Sequence, residues 1–478
     1  MKLQTLFCTL AGIAFTPLLS WAQEPAYQKA GLTSYQAAAH LLSRMSYGAR
    51  PGQVEAVVHQ GLDRWLEGQL QGRPESAEFT RRLALYQSLE LKAPQIQSAY
   101  LAGPALRKMA AESGMMIKDQ DLQKQVVRRK VLQMARQKGL KTEAELMREL
   151  VAQKVTRAVY SENQLQEVMC DFWFNHFNVS RTTAPARSHI LSYERDVIRP
   201  QALGQFRPLL GATARHPAML LYLNNAQSMA DKEAPSLGAK PRQMMNSKRV
   251  MGVNENYARE LMELHTLGVD GGYSQKDITE VARVLTGWTT LPRGGPAANR
   301  INRWLEQNPQ SVERDPYGFI FAPFLHDSGS KKVLGTTFAA GGGVEEGERL
   351  LDLLARHPKT SERIARKFAV RFVSDEPDPK LVAELTQVFR GSGGDSKAML
   401  RYLVDSPAFW SQSALRAKVK NPLEYCVSAV RILDGQLPAK ESEIPRWVEK
   451  MGQSMYACVP PTGYPDRSEQ WISSGTLV

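Results

Sequence analysis

The sequence predicts a mainly α-helical protein, a single large multi-helix domain with at most a small β-hairpin. Three observations carry this. Ile364, Phe368 and Phe372 recur every four residues behind a Thr360-Ser361 start, one apolar stripe of a helix. Ser274, followed three residues later by Asp277, forms a capping-box pattern. It precedes Ile278, Val281, Ala282, Leu285 and Trp288, again one helical face. Extended signals are few by comparison: Phe319 to Phe324 with Val333-Leu334 suffices for one hairpin.

The chain opens on Lys2, an apolar stretch from Leu3 to Leu19, and Ser20-Trp21-Ala22 with small residues at the −3 and −1 positions of a cleavage site. This is the layout of a secretory signal peptide, residues 1–22, ahead of a mature domain spanning 23–478. As a membrane anchor the run is marginal in length and interrupted by Pro17. Cys8 lacks the small residues that precede a lipid-modified cysteine. No later segment is long and apolar enough to cross a bilayer, so a soluble periplasmic or secreted protein is expected.

Removing the signal takes away one lysine and no acid, so the formal charge falls from +13 to +12. Between Arg107 and Arg157 basic residues outnumber acidic ones about two to one, on a helical pattern without any aromatic residue. Nucleic-acid binders interleave stacking aromatics or carry a recognisable module, and neither is present. The stretch reads as a solvated helical face, with attraction to anionic envelope polymers or lipid head groups as the functional alternative. Cys170, Cys426 and Cys458 remain after processing. In an oxidising compartment Cys426 and Cys458 are the expected pair; three buried thiols acting as small hydrophobes are the alternative.

Two segments put polar groups on core-facing stripes. In the helix around Asn163 to Phe177 the stripe Leu165, Val168, Met169 and Phe172 continues into His176, while Glu167, Asp171 and Asn175 share another face. His176 is therefore expected inward and Asp171 outward. In the run Asn254 to Gly268, Gly268 ends the helix, and Glu255, Arg259 and Glu263 form a four-residue ladder of surface ion pairs. Glu260 instead has Tyr257, Leu261 and Leu264 for neighbours, and a carboxylate in apolar company is paired, metal-bound or raised in pKa. His265 falls on the Ala258-Leu261-Met262 stripe, about 140° from Glu260 on a regular α-helix. His326-Asp327 follows the extended stretch and precedes Lys331-Lys332, either as a turn or at the rim of a pocket. Polar, Gly/Pro-rich residues at about 231–252 and 292–317 read as long surface loops. The metalloprotease, serine-hydrolase and phosphate-loop signatures are absent from the sequence.

Several of these blocks resemble the bacterial domain-of-unknown-function family 1800. They are Asp171-Phe-Trp-Phe-Asn-His-Phe-Asn-Val-Ser180, the unbroken run Asn254 to Trp288, and His326-Asp327 with Lys331-Lys332 and Gly335. His40-Leu-Leu-Ser-Arg44, and Pro461-Thr-Gly-Tyr-Pro465 with Trp471, match its ends. The resemblance implies an exported, mostly helical bacterial protein whose gene often neighbours that of exported family 1501, and no particular reaction. Phe174 departs from the family where many members have another histidine, which weakens a metal site built on that motif. The chain ends at Leu477-Val478, where relatives continue into a further helix, so a truncated version is expected as one alternative.

The sequence supports two readings. In the first, an envelope hydrolase assembles a centre from His176, Glu260, His265 and His326, whose imidazoles and carboxylate suit a divalent metal such as zinc. Without metal, Glu260 would be a general base and His176 or His265 a general acid, with Arg259 and Lys331 binding an anionic substrate group. Trp173 and Trp288 would serve a sugar or apolar pocket, or simply pack in the core. In the second, the chain is a non-catalytic envelope scaffold or carrier for an exported partner such as the family 1501 product. Its central Arg and Glu residues then form a buried ion-pair network that fixes helix packing.

Overall fold

Capping chemistry marks where the chain turns helical. The Thr33 hydroxyl accepts the Gln36 N–H while the Gln36 side chain accepts the Thr33 N–H, at 3.2 and 2.9 Å. The same reciprocal pair recurs at Thr142/Glu145, Ser274/Asp277 and Asn421/Glu424. Each satisfies two of the backbone donors that a helix start leaves open. The computed structural model describes residues 24–118, 124–237, 252–291, 306–307, 314–438 and 442–472. Residues 1–22, most of both expected loops and the last six residues lie outside this set. Helices make up 59% of the described residues, so the protein is mainly α.

One apolar core runs from Leu32 to Tyr456. Helices Ser34–Met45, Glu143–Tyr160, Gln164–His176, Phe206–Arg215 and Pro358–Phe372 all contribute to it. The stripe Ile364, Phe368, Phe372 is at most 1% exposed, although its helix starts at Pro358, two residues before the expected Thr360. His357 supplies the cap there, its Nδ1 accepting the Lys359 N–H. The basic stretch folds into helices Gly103–Glu112 and Gln125–Gln137 over a small separate cluster of Leu106, Met109, Ala110, Val131 and Ala135.

Strands are few, yet more numerous than the single hairpin expected. Phe319–Phe321 pairs antiparallel with Trp288–Thr290, not with Val333. Trp288 thus leaves the helical face assigned to it, because helix Gln275–Val284 ends at Leu285. Lys331–Val333 pairs instead with Thr336–Phe338 across Leu334-Gly335. Both turn residues have positive φ, 48° and 80°, the conformation a two-residue hairpin turn demands. Tyr100–Leu101 and Lys141–Thr142 form a third, parallel pair bridging the ends of the basic helices.

Among the described residues two π-helical turns interrupt the α-helical winding, Tyr193–Ile198 and Leu261–Thr266. Each inserts a residue into its turn and rotates the later residues about the helix axis. Each also carries a side chain of interest, Glu194 and His265.

Candidate functional site

His176 and His265 meet as expected from their stripes. His176 is 3% exposed and its Nε2 donates to the His265 carbonyl at 3.1 Å. The two rings are 6.2 Å apart, with Phe177 against both. His265 is 1% exposed and its Nε2 has no hydrogen-bond partner. Burial, then the Arg363 charge, pushes the His265 pKa down to about 3. Burial, Lys367, His265 and Arg363 hold His176 well below the usual histidine range. Both rings are therefore neutral at pH 7 and pack as aromatic side chains.

Glu260, five residues before His265 in the chain, is half-buried, with no side-chain hydrogen bond or ion pair among the described residues. Burial, then the neighbouring Glu263, raises its pKa, with Arg259 opposing. The π turn after it changes the offset between Glu260 and His265, so the 140° of a regular α-helix does not apply. Arg259 stays on the surface ladder, 3.5 Å from Glu255 and 3.6 Å from Glu263.

His326 belongs to a different cluster. Its Nδ1 is 2.8 Å from the Thr286 carbonyl, and its Nε2 is 3.3 Å from Glu346 Oε2, too misaligned to count as a hydrogen bond. Lys331, expected to meet an anionic substrate, is 2% exposed and its Nζ lies 2.5 Å from the same carboxylate oxygen. Asp327 is held by Arg283 through two contacts of 2.7 and 3.2 Å. His326-Asp327 is thus buried and tied in place and is not a loose turn. Among the described residues no three of His, Cys, Asp and Glu stand close enough to hold a metal ion. Of the four residues expected as a ligand set, His176 and His265 pack in one aromatic layer, Glu260 is half-buried, and His326 lies beside Glu346.

Two further pairs of alternatives are resolved. Trp173 and Trp288 are core residues at 1% and 0% exposure; a Cβ on Gly347 would fall 2.1 Å from the Trp288 ring. Cys170, Cys426 and Cys458 are free, buried thiols, the second of the two alternatives. Burial raises the pKa of all three, that of Cys170 to about 12.

The polar face of helix Gln164–His176 holds a concentration of charge that the sequence did not disclose. Both its carboxylates are paired: Glu167, buried, is 2.6 Å from Arg199, and Asp171, 23% exposed, is 2.7 Å from Lys154. Glu194, 2% exposed on its π turn, lies 3.6 Å from Lys154 and 3.7 Å from Arg199. It also accepts hydrogen bonds from Tyr456 Oη at 2.6 Å and Gln153 Nε2 at 3.3 Å. Burial alone would lower the Lys154 pKa, but Asp171 and Glu194 outweigh it and hold the ammonium above its usual range. Burial would likewise raise Glu194, yet Lys154 and Arg199 hold it below the usual carboxylate range. Lys154 was detectable in principle. It sits four residues from both Leu150 and Ala158, a charge on an apolar stripe, the same signal that singled out Glu260.

Beyond Asp171 this network opens on a cavity of about 70 Å³. Lys154, Asp171, Arg371, Lys418 and Glu424 supply charge to its wall, and Tyr464 and Trp471 supply aromatic rings. Asn175 fastens the C-terminal loop beside it, donating to the Tyr464 carbonyl and accepting its N–H, both at 2.7 Å. Asn178 adds two more ties, donating to the Cys458 and Pro460 carbonyls at 3.0 and 2.8 Å. A Cβ on Gly463 would be 2.2 Å from the Asn175 carbonyl, so only glycine lets the loop approach this closely. The cavity therefore joins the Asp171–Ser180 block to the Pro461–Trp471 block.

The family model described as "Protein of unknown function (DUF1800)" matches residues 40–478, and the chain belongs to that family. No curated protein and no solved structure matches the chain.

Proposed function

We propose that this member of the family is an exported envelope protein acting as a non-catalytic scaffold or carrier, with the family 1501 product as its partner. One observation supports the reading: three residues assigned to a hydrolytic centre, His176, His326 and Lys331, are taken up separately in packing. His176 closes on the His265 backbone, His326 on Thr286 and Glu346, and Lys331 on Glu346. The charged groups that do converge, around Lys154 and Glu194, neutralise one another, as a network that sets helix register does. The basic helices Gly103–Glu112 and Gln125–Gln137 are the surface for anionic envelope polymers. No helix of the described residues is long and apolar enough to cross a membrane.

The hydrolase reading retains Glu260, a half-buried carboxylate with a raised pKa and no ion-pair partner among the described residues. Glu260→Gln separates the two readings. The full chain is expressed in a bacterial host, recovered from the envelope fraction, and expected to begin at Gln23. Metal content and hydrolysis of ester, peptide and glycoside substrates are then compared with the variant. Equal, background values for both proteins, with co-purification of the family 1501 product, are expected. Stoichiometric zinc, or hydrolysis lost in Glu260→Gln, would establish the enzyme instead.

A further inference from the structure

The cavity beyond Asp171 has three features that together describe a ligand. The first is size. Its 70 Å³ is several times the roughly 10–15 Å³ that one water occupies on the same measure, so it takes a group of several heavy atoms. It is not sealed, since Val419 in its wall is 40% exposed and Trp471 is half-buried.

The second feature is charge of both signs, already balanced. In the wall Lys154 is paired with Asp171 and Arg371 with Glu424, while Lys418 and Asp466 are paired with Asp375 and Lys367 behind it. A ligand carrying a net charge meets no uncompensated counter-charge here and would have to break a pair to gain one. A neutral ligand that both donates and accepts hydrogen bonds meets carboxylate acceptors and cationic donors side by side. Hydroxyl groups satisfy that requirement, each being one donor and two acceptors.

The third feature is an aromatic wall. The Tyr464 and Trp471 rings are 6.0 Å apart and inclined at 48°. Trp471 is fixed in orientation by its Nε1, which donates to the Pro465 carbonyl at 3.1 Å. The loop bearing both is fastened by Asn175 and Asn178, so the rings are preorganised and not recruited on binding. A rigid aromatic face beside paired acids and bases suits a molecule with one apolar C–H face and a rim of hydroxyls.

We propose that this cavity binds one neutral sugar unit, its ring against Trp471 and its hydroxyls on Asp171, Arg371 and Glu424. The inference stands apart from the scaffold reading, because it concerns the cavity and needs no partner protein.

The test uses the purified full-length mature chain, with saturation-transfer NMR and tryptophan fluorescence as readouts. The probes are glucose, galactose and N-acetylglucosamine, with glucuronate and glycine as charged and zwitterionic comparators. At least one neutral sugar is expected to bind saturably and more tightly than either comparator. Trp471→Ala is expected to weaken it at least about tenfold, while Trp471→Phe keeps most of the affinity. Thermal melts establish that each variant is folded. If Trp471→Ala is not folded, Glu424→Gln is read in its place, with the same loss expected. The proposal falls if no neutral sugar binds, if glucuronate or glycine binds more tightly, or if folded Trp471→Ala binds as well as the parent.

Discussion

The two faces of helix Gln164–His176 bury polar groups in opposite ways. On one face His176 enters an aromatic layer, gives a single hydrogen bond to the His265 backbone, and stays neutral because burial holds its pKa low. On the other, Glu167 and Asp171 remain charged and are matched by Arg199 and Lys154, with Glu194 between the two cations. The first face solves burial by removing charge and the second by pairing it. Titratable residues in a core are therefore not equivalent signs of a functional centre. The neutral histidines belong to packing, whereas the paired face borders a cavity and leaves part of its charge accessible from one side.

The comparison breaks most visibly if the paired face is unbalanced. Glu194→Ala leaves Lys154 and Arg199 buried with one carboxylate fewer and deprives Tyr456 and Gln153 of their acceptor. Removing one partner of a buried charged set costs about 3–5 kcal/mol. The midpoint of urea denaturation should fall accordingly. A loss below about 1 kcal/mol would mean that the network is hydrated and not matched.

Acid acts on the other face. The folded-state pKa of His265 lies near 3 and the unfolded value near 6.5. The unfolded chain therefore takes up a proton first, and the stability contributed by the neutral ring, complete above pH 6.5, declines down to about pH 3. At pH 5, before most carboxylates titrate, one such histidine costs about 2 kcal/mol. His176, His216 and His40 add to the same trend, His40 with a pKa near 4. Stability measured from pH 7 to pH 5 should fall steeply and less so in His265→Gln. Equal slopes would show that the aromatic layer admits the charged ring.

The smallest effect concerns Glu260, a carboxylate neither paired nor fully buried. Glu260 has its pKa raised by burial and by Glu263, so its ionised form at pH 7 opposes folding and its protonated form, reached in acid, does not. Glu260→Gln should raise the stability at neutral pH by under about 1 kcal/mol, after allowance for its partial exposure, read as a higher melting temperature, and lose that gain in acid. A lower melting temperature at pH 7 would mean that the carboxylate has a stabilising partner.

The sequence by itself determined the helical class, the capping box at Ser274/Asp277, the stripe Ile364–Phe368–Phe372, and the inward turn of His176 and His265. Each is local: a 3.6-residue repeat and a cap are decided within a few turns of one segment. It also placed both blocks of the cavity wall, Asp171–Ser180 and Pro461–Trp471, without bringing them together. Tertiary structure decided which polar groups meet. Asp171 was expected off the core-facing stripe and stays partly exposed, but the approach of Lys154 and Arg371 from other helices makes its surroundings a cavity wall. Tyr464 reaches Asn175 across 289 residues, through a glycine that permits contact with backbone. Helical periodicity assigns a side chain to a face. The π turns at Tyr193–Ile198 and Leu261–Thr266, and the rotation of each helix against its neighbours, decide what that face touches.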